Sequence, residues 1–116
     1  MSATPPATRQ SKQPDERRDE IVAATRQLFG ERGVACSSTK GATGHALGAA
    51  GGIEAVISAL ALRHGMAWAG VNTQQVDESI PVDYLLRNKP MPVQLVLSNS
   101  FGFGGTNCSL LLGRAG

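Results

Sequence analysis

The stretch SSTKGATGHALGAAGGIEA, residues 37–55, decides the fold that we expect for this chain. It starts as a Ser/Thr–Gly loop and continues into a run of small apolar residues, for which we predict a long helix from about His45 to His64. Glycine disfavours an isolated helix, so the glycines in this run indicate close contact with neighbouring backbone. A helix that is apolar on all sides belongs in the interior of a protein.

The same stretch contains two Gly-x-x-x-Gly spacings, which are typical of packed membrane helices. They are formed by Gly44, Gly48 and Gly52. Glu54 lies in the middle of the run, and the many alanines and glycines make the run weakly hydrophobic for its length. We therefore expect a buried helix and no membrane span.

Glu54 needs a partner if this helix is buried, because an unpaired carboxylate in an apolar interior is strongly destabilising. Lys40 lies in the preceding loop, and we predict that it folds back onto Glu54. The alternative is a solvated Glu54 on an exposed stripe. His45 lies where the loop becomes the helix, and the positive helix end there favours a neutral ring that can polarise a carbonyl. The alternative for His45 is a capping or packing residue.

Beyond the helix we predict a short strand at about residues 66–71, then an irregular stretch, then two buried strands at 93–97 and 108–112. These two strands are expected to pair antiparallel across NSFGFGGTN, residues 99–107. Its glycines allow the backbone to flex and its phenylalanines can close an apolar cavity, so we interpret it as a gate. An ordinary Gly-rich hairpin is the alternative. A phosphate-binding loop would need Gly-Lys-Ser/Thr and a following helix.

The amino-terminal part of the chain differs in composition from the rest. Of the 11 basic and 9 acidic side chains, 11 in total lie in the first 34 residues, so charge is sparse afterwards and indicates a segment buried on several sides. Residues 1–13 hold no large apolar residue after Met1, and we predict a disordered tail. Over residues 14–33 we predict an amphipathic helix. Its apolar face would consist of Ile21, Val22, Thr25, Leu28 and Phe29.

Residues 14–34 resemble the first helix of tetracycline-repressor-type transcription regulators. That family reads DNA with a second and a third helix, which do not follow here. A regulator that binds DNA or a protein through this helix is therefore the alternative function, and we expect no nucleic-acid partner. The character of the sequence changes at about Ala35, where we place a boundary between unrelated pieces.

Two segments, SSTKGATGHALGAAGGIEA (37–55) and LSNSFGFGGTN (97–107), together resemble the last third of a β-ketoacyl-acyl-carrier-protein synthase. This resemblance implies that residues 35–116 are an α/β segment, the carboxy-terminal half of a partial thiolase-like fold. It also implies the family's reaction, the decarboxylative condensation of malonyl-acyl carrier protein with an acyl thioester in fatty acid or polyketide biosynthesis. Acyl carrier protein would be a partner, the location would be cytoplasmic, and no cofactor would be needed.

The resemblance also implies roles for individual residues. His45 would hydrogen-bond the malonyl thioester carbonyl and stabilise the enolate, supported by Lys40 and its acid Glu54. Phe103 would be the gating residue. The supporting positions of the gating motif are Phe101, Gly102, Gly104, Gly105 and Asn107.

Two catalytic groups that the family needs have no match in this sequence. They are the nucleophilic cysteine and a first active-site histidine; Cys36, Cys108 and His64 lie at other positions. We therefore expect the chain to be incomplete alone and to need the missing amino-terminal half or another synthase chain. A metal site made from His45, His64 and the two cysteines lacks a close ligand pair, so no metal is expected. Reduced thiols are expected for both cysteines.

Overall fold

The structure, a computed structural model, describes residues 14–116. The tail predicted for residues 1–13 lies outside the described residues. The helices are α1 (Pro14–Arg32), α2 (Lys40–Thr43) and α3 (Ala50–His64), with a 3₁₀ turn at Leu47–Ala49 leading into α3. The strands are β1 (Ala35–Cys36), β2 (Met66–Ala67), β3 (Asp83–Tyr84), β4 (Lys89–Pro90), β5 (Leu95–Phe101) and β6 (Asn107–Gly113).

The strands form three two-stranded sheets. β1 pairs parallel with β3, β2 pairs antiparallel with β4, and β5 pairs antiparallel with β6. Within residues 14–116, none of the helices combines the length and the hydropathy that a membrane span requires. The described residues combine helices with small two-stranded sheets.

Helix α1 contacts the segment that leads into β3. A Cβ added at Gly30 would lie 2.7 Å from the carbonyl oxygen of Pro81, so the two backbones approach closely there. Gly33 follows the helix with a φ of 59°, a left-handed conformation that commonly ends a helix. The apolar face predicted for α1 consists of side chains outside the described ones.

Helix α3 begins later than the sequence predicts. Gly44 has a φ of 70° and Leu47 a φ of 49°, and a right-handed helix does not contain such backbone. His45 lies between these two residues and belongs to no helix. The predicted helix start at His45 is therefore wrong, and regular α-helix starts only at Ala50.

The carboxyl end of α3 lies at His64, as predicted. Gly65 follows in the left-handed conformation, and its N–H donates to the carbonyl of Ala61. Arg63 and His64 occupy the last turn, where positive charge suits the helix dipole.

The core is small and lies along the later turns of α3 and the segments that pack there. Its buried residues are Ser58, Ala61, Leu62, Ala69, Leu85 and Val93. Gly70 donates its N–H to the carbonyl of Leu85 at 2.9 Å, and Ala69 donates its own to Oδ1 of Asn88 at 2.9 Å. The strand predicted at residues 66–71 is shorter in the structure. Only β2 pairs with another strand, and the N–H groups of Ala69 and Gly70 bond to groups outside any strand.

The predicted hairpin of β5 and β6 is present, with Leu97 opposite Leu111 and Ser100 opposite Cys108. Side chains alternate between the faces of a strand, so Ser100 points to one face and Leu97 to the other. Helix α3 packs on the Ser100 face. The prediction that both strands are buried is wrong: Leu95 is 66% exposed, Leu97 49% and Leu111 67%.

Candidate functional site

The charge pair predicted from burial is formed, because the ammonium group of Lys40 contacts Oε1 of Glu54. Lys40 opens α2, and Glu54 lies in the second turn of α3. The Glu54 side chain is 17% exposed and that of Lys40 is 40% exposed, so water screens the pair only in part. A solvated, unpaired Glu54 is excluded.

Close backbone contacts hold the segment that carries Lys40. A Cβ added at Gly41 would overlap the carbonyl oxygen of Val71, so only glycine fits at this position. Nδ2 of Asn72 donates to the carbonyl of Gly41 at 3.0 Å, and the N–H of Gly44 donates to the carbonyl of Lys40 at 2.9 Å. These contacts keep Lys40 in reach of α3.

His45 and Phe103, from the two sequence motifs, meet in space. Their ring centroids are 6.5 Å apart and the ring planes are inclined by 83°, an edge-to-face contact. Both side chains are exposed, and Phe103 is 100% exposed. His45 lies before the 3₁₀ turn, so the helix-dipole argument made for it from the sequence does not apply.

The loop that carries Phe103 is a tight, glycine-dependent turn. The N–H of Gly102 donates to the carbonyl of Thr106 at 2.8 Å, and the N–H of Gly105 donates to that of Gly102 at 3.0 Å. Gly105 has a φ of 83°, which other residues rarely adopt. The other residues predicted for the gate lie in or beside this turn and are exposed: Phe101, Gly104 and Asn107.

The sequence reasoning missed Ser100. Its hydroxyl donates to Oε2 of Glu54 at 3.4 Å, while Lys40 occupies Oε1. A Cβ added at Gly51 would lie 3.3 Å from this hydroxyl, so glycine at that position leaves room for it. The signal that could have identified Ser100 is its place in the alternation of β5, on the face that packs on α3.

The two cysteines occupy different surroundings. Cys36 is half-buried in β1, and burial, followed by the negative charge of Asp83, raises the pKa of its thiol. Cys108 is exposed in β6. Within residues 14–116 no three His, Cys, Asp or Glu side chains are grouped as a metal ion would require.

A cleft of about 730 Å³ lies beside the charge pair. Residues 34–40 border it on one side and residues 95–99 on another, and Glu54, Ile57 and Ala61 contribute from α3. β1 and β5 therefore both border an open space and do not pair. The indole N–H of Trp68, another lining residue, is buried without a hydrogen-bond partner in the described structure.

Comparison with protein-family models identifies the carboxy-terminal domain of β-ketoacyl synthases over residues 18–74. This range starts within α1 and continues across the boundary predicted at Ala35. The boundary at Ala35 stays a prediction.

Curated proteins show the same similarity. The chain is 42% identical over 92 residues to 3-oxoacyl-[acyl-carrier-protein] synthase 1 of Escherichia coli K12, which is 78% of this chain and 23% of that protein. It is 46% identical over 94 residues to synthase 2 of Coxiella burnetii, 78% of this chain and 23% of the relative. It is 52% identical over 80 residues to the mitochondrial synthase of Arabidopsis thaliana, 67% of this chain and 17% of the relative. The chain thus spans about a quarter or less of the length of these relatives.

Proposed function

We propose that this chain, which carries the carboxy-terminal part of a β-ketoacyl synthase, provides the malonyl-decarboxylating side of a condensation site. The observation that supports this most directly is the contact between His45 and Phe103, because it brings together two motifs that are far apart in the sequence. The Lys40–Glu54 pair joins α2 to α3, the helices before and after the segment that carries His45, and so supports that segment.

The proposed chemistry starts from a malonyl group on acyl carrier protein. Cleavage of its terminal carbon–carbon bond releases carbon dioxide and leaves the electron pair as an enolate. A ring N–H of His45 donates to the thioester oxygen, where the negative charge of the enolate develops. The carbanion then attacks an acyl thioester, the new carbon–carbon bond forms, and the enzyme thiol leaves. The product is a 3-oxoacyl carrier protein that is two carbons longer.

Phe103 acts in this proposal as the gate. It is fully exposed on a glycine turn, and its ring is arranged edge-to-face with that of His45 at a centroid distance of 6.5 Å. A turn with Gly102, Gly104 and Gly105 changes its backbone angles at low cost, so the ring can move aside to admit a substrate. Phe101 and Asn107, which pair at the base of the turn, anchor it.

The acyl-accepting thiol comes from outside these 116 residues in this proposal. Burial and Asp83 raise the pKa of Cys36 and so disfavour its thiolate, which is the nucleophilic form. Cys108 is part of the β6 ladder, opposite Ser100. In this proposal further synthase polypeptide completes the site. The helices and small sheets of this chain would then form part of a thiolase-like fold.

A chimeric enzyme tests the proposal. Residues 18–116 of this chain replace the matched segment of the Escherichia coli relative, and elongation of an acyl primer with malonyl-acyl carrier protein is measured. We expect elongation by the chimera and none by the 116-residue chain alone. The unaltered relative is the positive control. A folded but inactive chimera would contradict the proposed role, and elongation by the chain alone would refute the need for an external thiol.

A further inference from the structure

The carboxylate of Glu54 is bound from two sides by two different parts of the chain. Its Oε1 contacts the Lys40 ammonium group from α2, and its Oε2 accepts a hydrogen bond of 3.4 Å from the hydroxyl of Ser100 in β5. The side chain of Glu54 is only 17% exposed, so water screens these two contacts only in part. One carboxylate therefore joins α2, α3 and β5.

Ser100 is placed at the start of the gate. It is followed directly by Phe101, the last residue of β5, and then by the glycine turn with Phe103. On the helix side, Gly51 has no side chain to fill the space next to the Ser100 hydroxyl. The approach of β5 to α3 at this point is therefore close enough for a direct bond between the strand and Glu54.

We propose that Ser100 is a positioning residue that couples the gate turn, residues 102–106, to the Lys40–Glu54 pair. Through this bond the end of β5 is held against α3 when Glu54 is oriented by Lys40. When the turn moves and β5 shifts at Ser100, Oε2 of Glu54 loses its donor. The inference rests on the proposed function only in taking residues 102–106 to be the gate.

The same hairpin offers a matched control. The hydroxyl of Ser109 donates to Oδ1 of Asn99 at 2.7 Å, and both residues lie on the hairpin face opposite to Ser100. Ser109→Ala therefore removes a hydroxyl bond of the hairpin without touching Glu54. A purely structural role of a hairpin serine would make Ser100→Ala and Ser109→Ala behave alike.

The test is amide hydrogen exchange of Gly102 and Gly105, whose N–H groups are bonded within the turn, measured by NMR on the full chain. We expect Ser100→Ala to accelerate exchange at these amides about fivefold, which corresponds to one hydrogen bond of ordinary net strength. Ser100→Thr keeps the hydroxyl and should retain the original rates. Ser109→Ala should leave the turn unchanged.

A double variant decides whether the effect passes through Glu54. Glu54→Met removes both acceptor oxygens, so Ser100→Ala should add no further acceleration in that background. Equal effects of Ser100→Ala and Ser109→Ala, or fully additive effects of Ser100→Ala and Glu54→Met, would overturn the proposal. If Ser100→Ala does not fold, exchange of the turn amides is compared between Glu54→Met, which removes the acceptor of the Ser100 bond, and Ser100→Thr, which keeps the donor. Faster exchange in Glu54→Met alone supports the proposal, and unchanged exchange in Glu54→Met overturns the proposal. These readings need no activity, so an inactive chimera would not affect them.

Discussion

The base of the molecule and its hairpin differ in how they are held. The base consists of the later turns of α3 and the segments packed there, with Leu62 at 7% and Leu85 at 8% exposure. The hairpin of β5 and β6 is regular in its pairing, yet Leu95 and Leu111 remain about two thirds exposed at 66% and 67%. Stability therefore lies in the base, while the hairpin carries the proposed gate and an exposed apolar face.

The Glu54 carboxylate connects these two regions. Lys40 reaches it from α2, and Ser100 reaches it from the hairpin. The supporting charges are thus already arranged, whereas His45 and Phe103, the groups proposed to meet substrate, stand exposed. The Lys40–Glu54 pair is thus formed within the described residues, whereas the proposed function leaves the covering of His45 and Phe103 to further synthase polypeptide.

The largest difference between the two regions is expected for paired leucine truncations. Leu62→Ala removes packed methyl groups from the base and should lower the free energy of unfolding by about 2–3 kcal/mol. Leu111→Ala removes an exposed side chain from the hairpin and should cost less than about 0.5 kcal/mol. Urea unfolding followed by circular dichroism measures both. Similar losses in the two variants would show that the hairpin face is packed after all.

A smaller effect is expected from loss of the ion pair. Lys40→Met leaves the Glu54 carboxylate with Ser100 as its remaining partner, and should lower the free energy of unfolding by about 1–2 kcal/mol, less than for a fully buried pair because Lys40 is partly exposed. Lys89→Met, at an exposed position of β4, is the control and should change it by less than about 0.5 kcal/mol. If both variants were equally stable, the ion pair would not contribute to the attachment of α2 to α3.

The smallest effect concerns the two thiols. Burial and Asp83 raise the pKa of the Cys36 thiol, so at pH 8 a smaller fraction is thiolate and Cys36 should react several-fold more slowly with a disulfide reagent than Cys108. The Cys36 rate should continue to rise with pH above the ordinary thiol value of about 8.5. Cys36→Ser and Cys108→Ser variants separate the two rates. A faster reaction of Cys36 would contradict its half-buried position in β1.

The sequence predicted those features that depend on local chemistry. A mid-helix carboxylate in an apolar run needed a cation, and Lys40 was near in sequence, so the pair could be inferred. The hairpin followed from two apolar runs around a Gly-rich loop. In contrast, the start of α3 was misplaced because no feature of the sequence indicates that Leu47 takes a positive φ. The burial of Leu97 and Leu111 was overestimated because an apolar strand is buried only where another element covers it.

Other features needed three-dimensional information or comparison. The bond from Ser100 to Glu54 joins residues far apart in the sequence, and only the register of β5 on α3 reveals it. The resemblance of residues 14–34 to the first helix of tetracycline-repressor-type regulators stays a prediction, because an amphipathic pattern of about 20 residues occurs in many proteins. The family match begins at residue 18, within α1, and ends at residue 74.

The most direct test of the central claim, that His45 is the decarboxylating group of a condensation site, is release of labelled carbon dioxide from malonyl-acyl carrier protein. It is measured in the chimera that carries residues 18–116, with and without His45→Ala. Loss of one donor to a developing oxyanion typically lowers the rate by about 100–1000-fold, and the account predicts a loss of that size. Release that stays within about threefold of the unsubstituted chimera, well below that range, would contradict it.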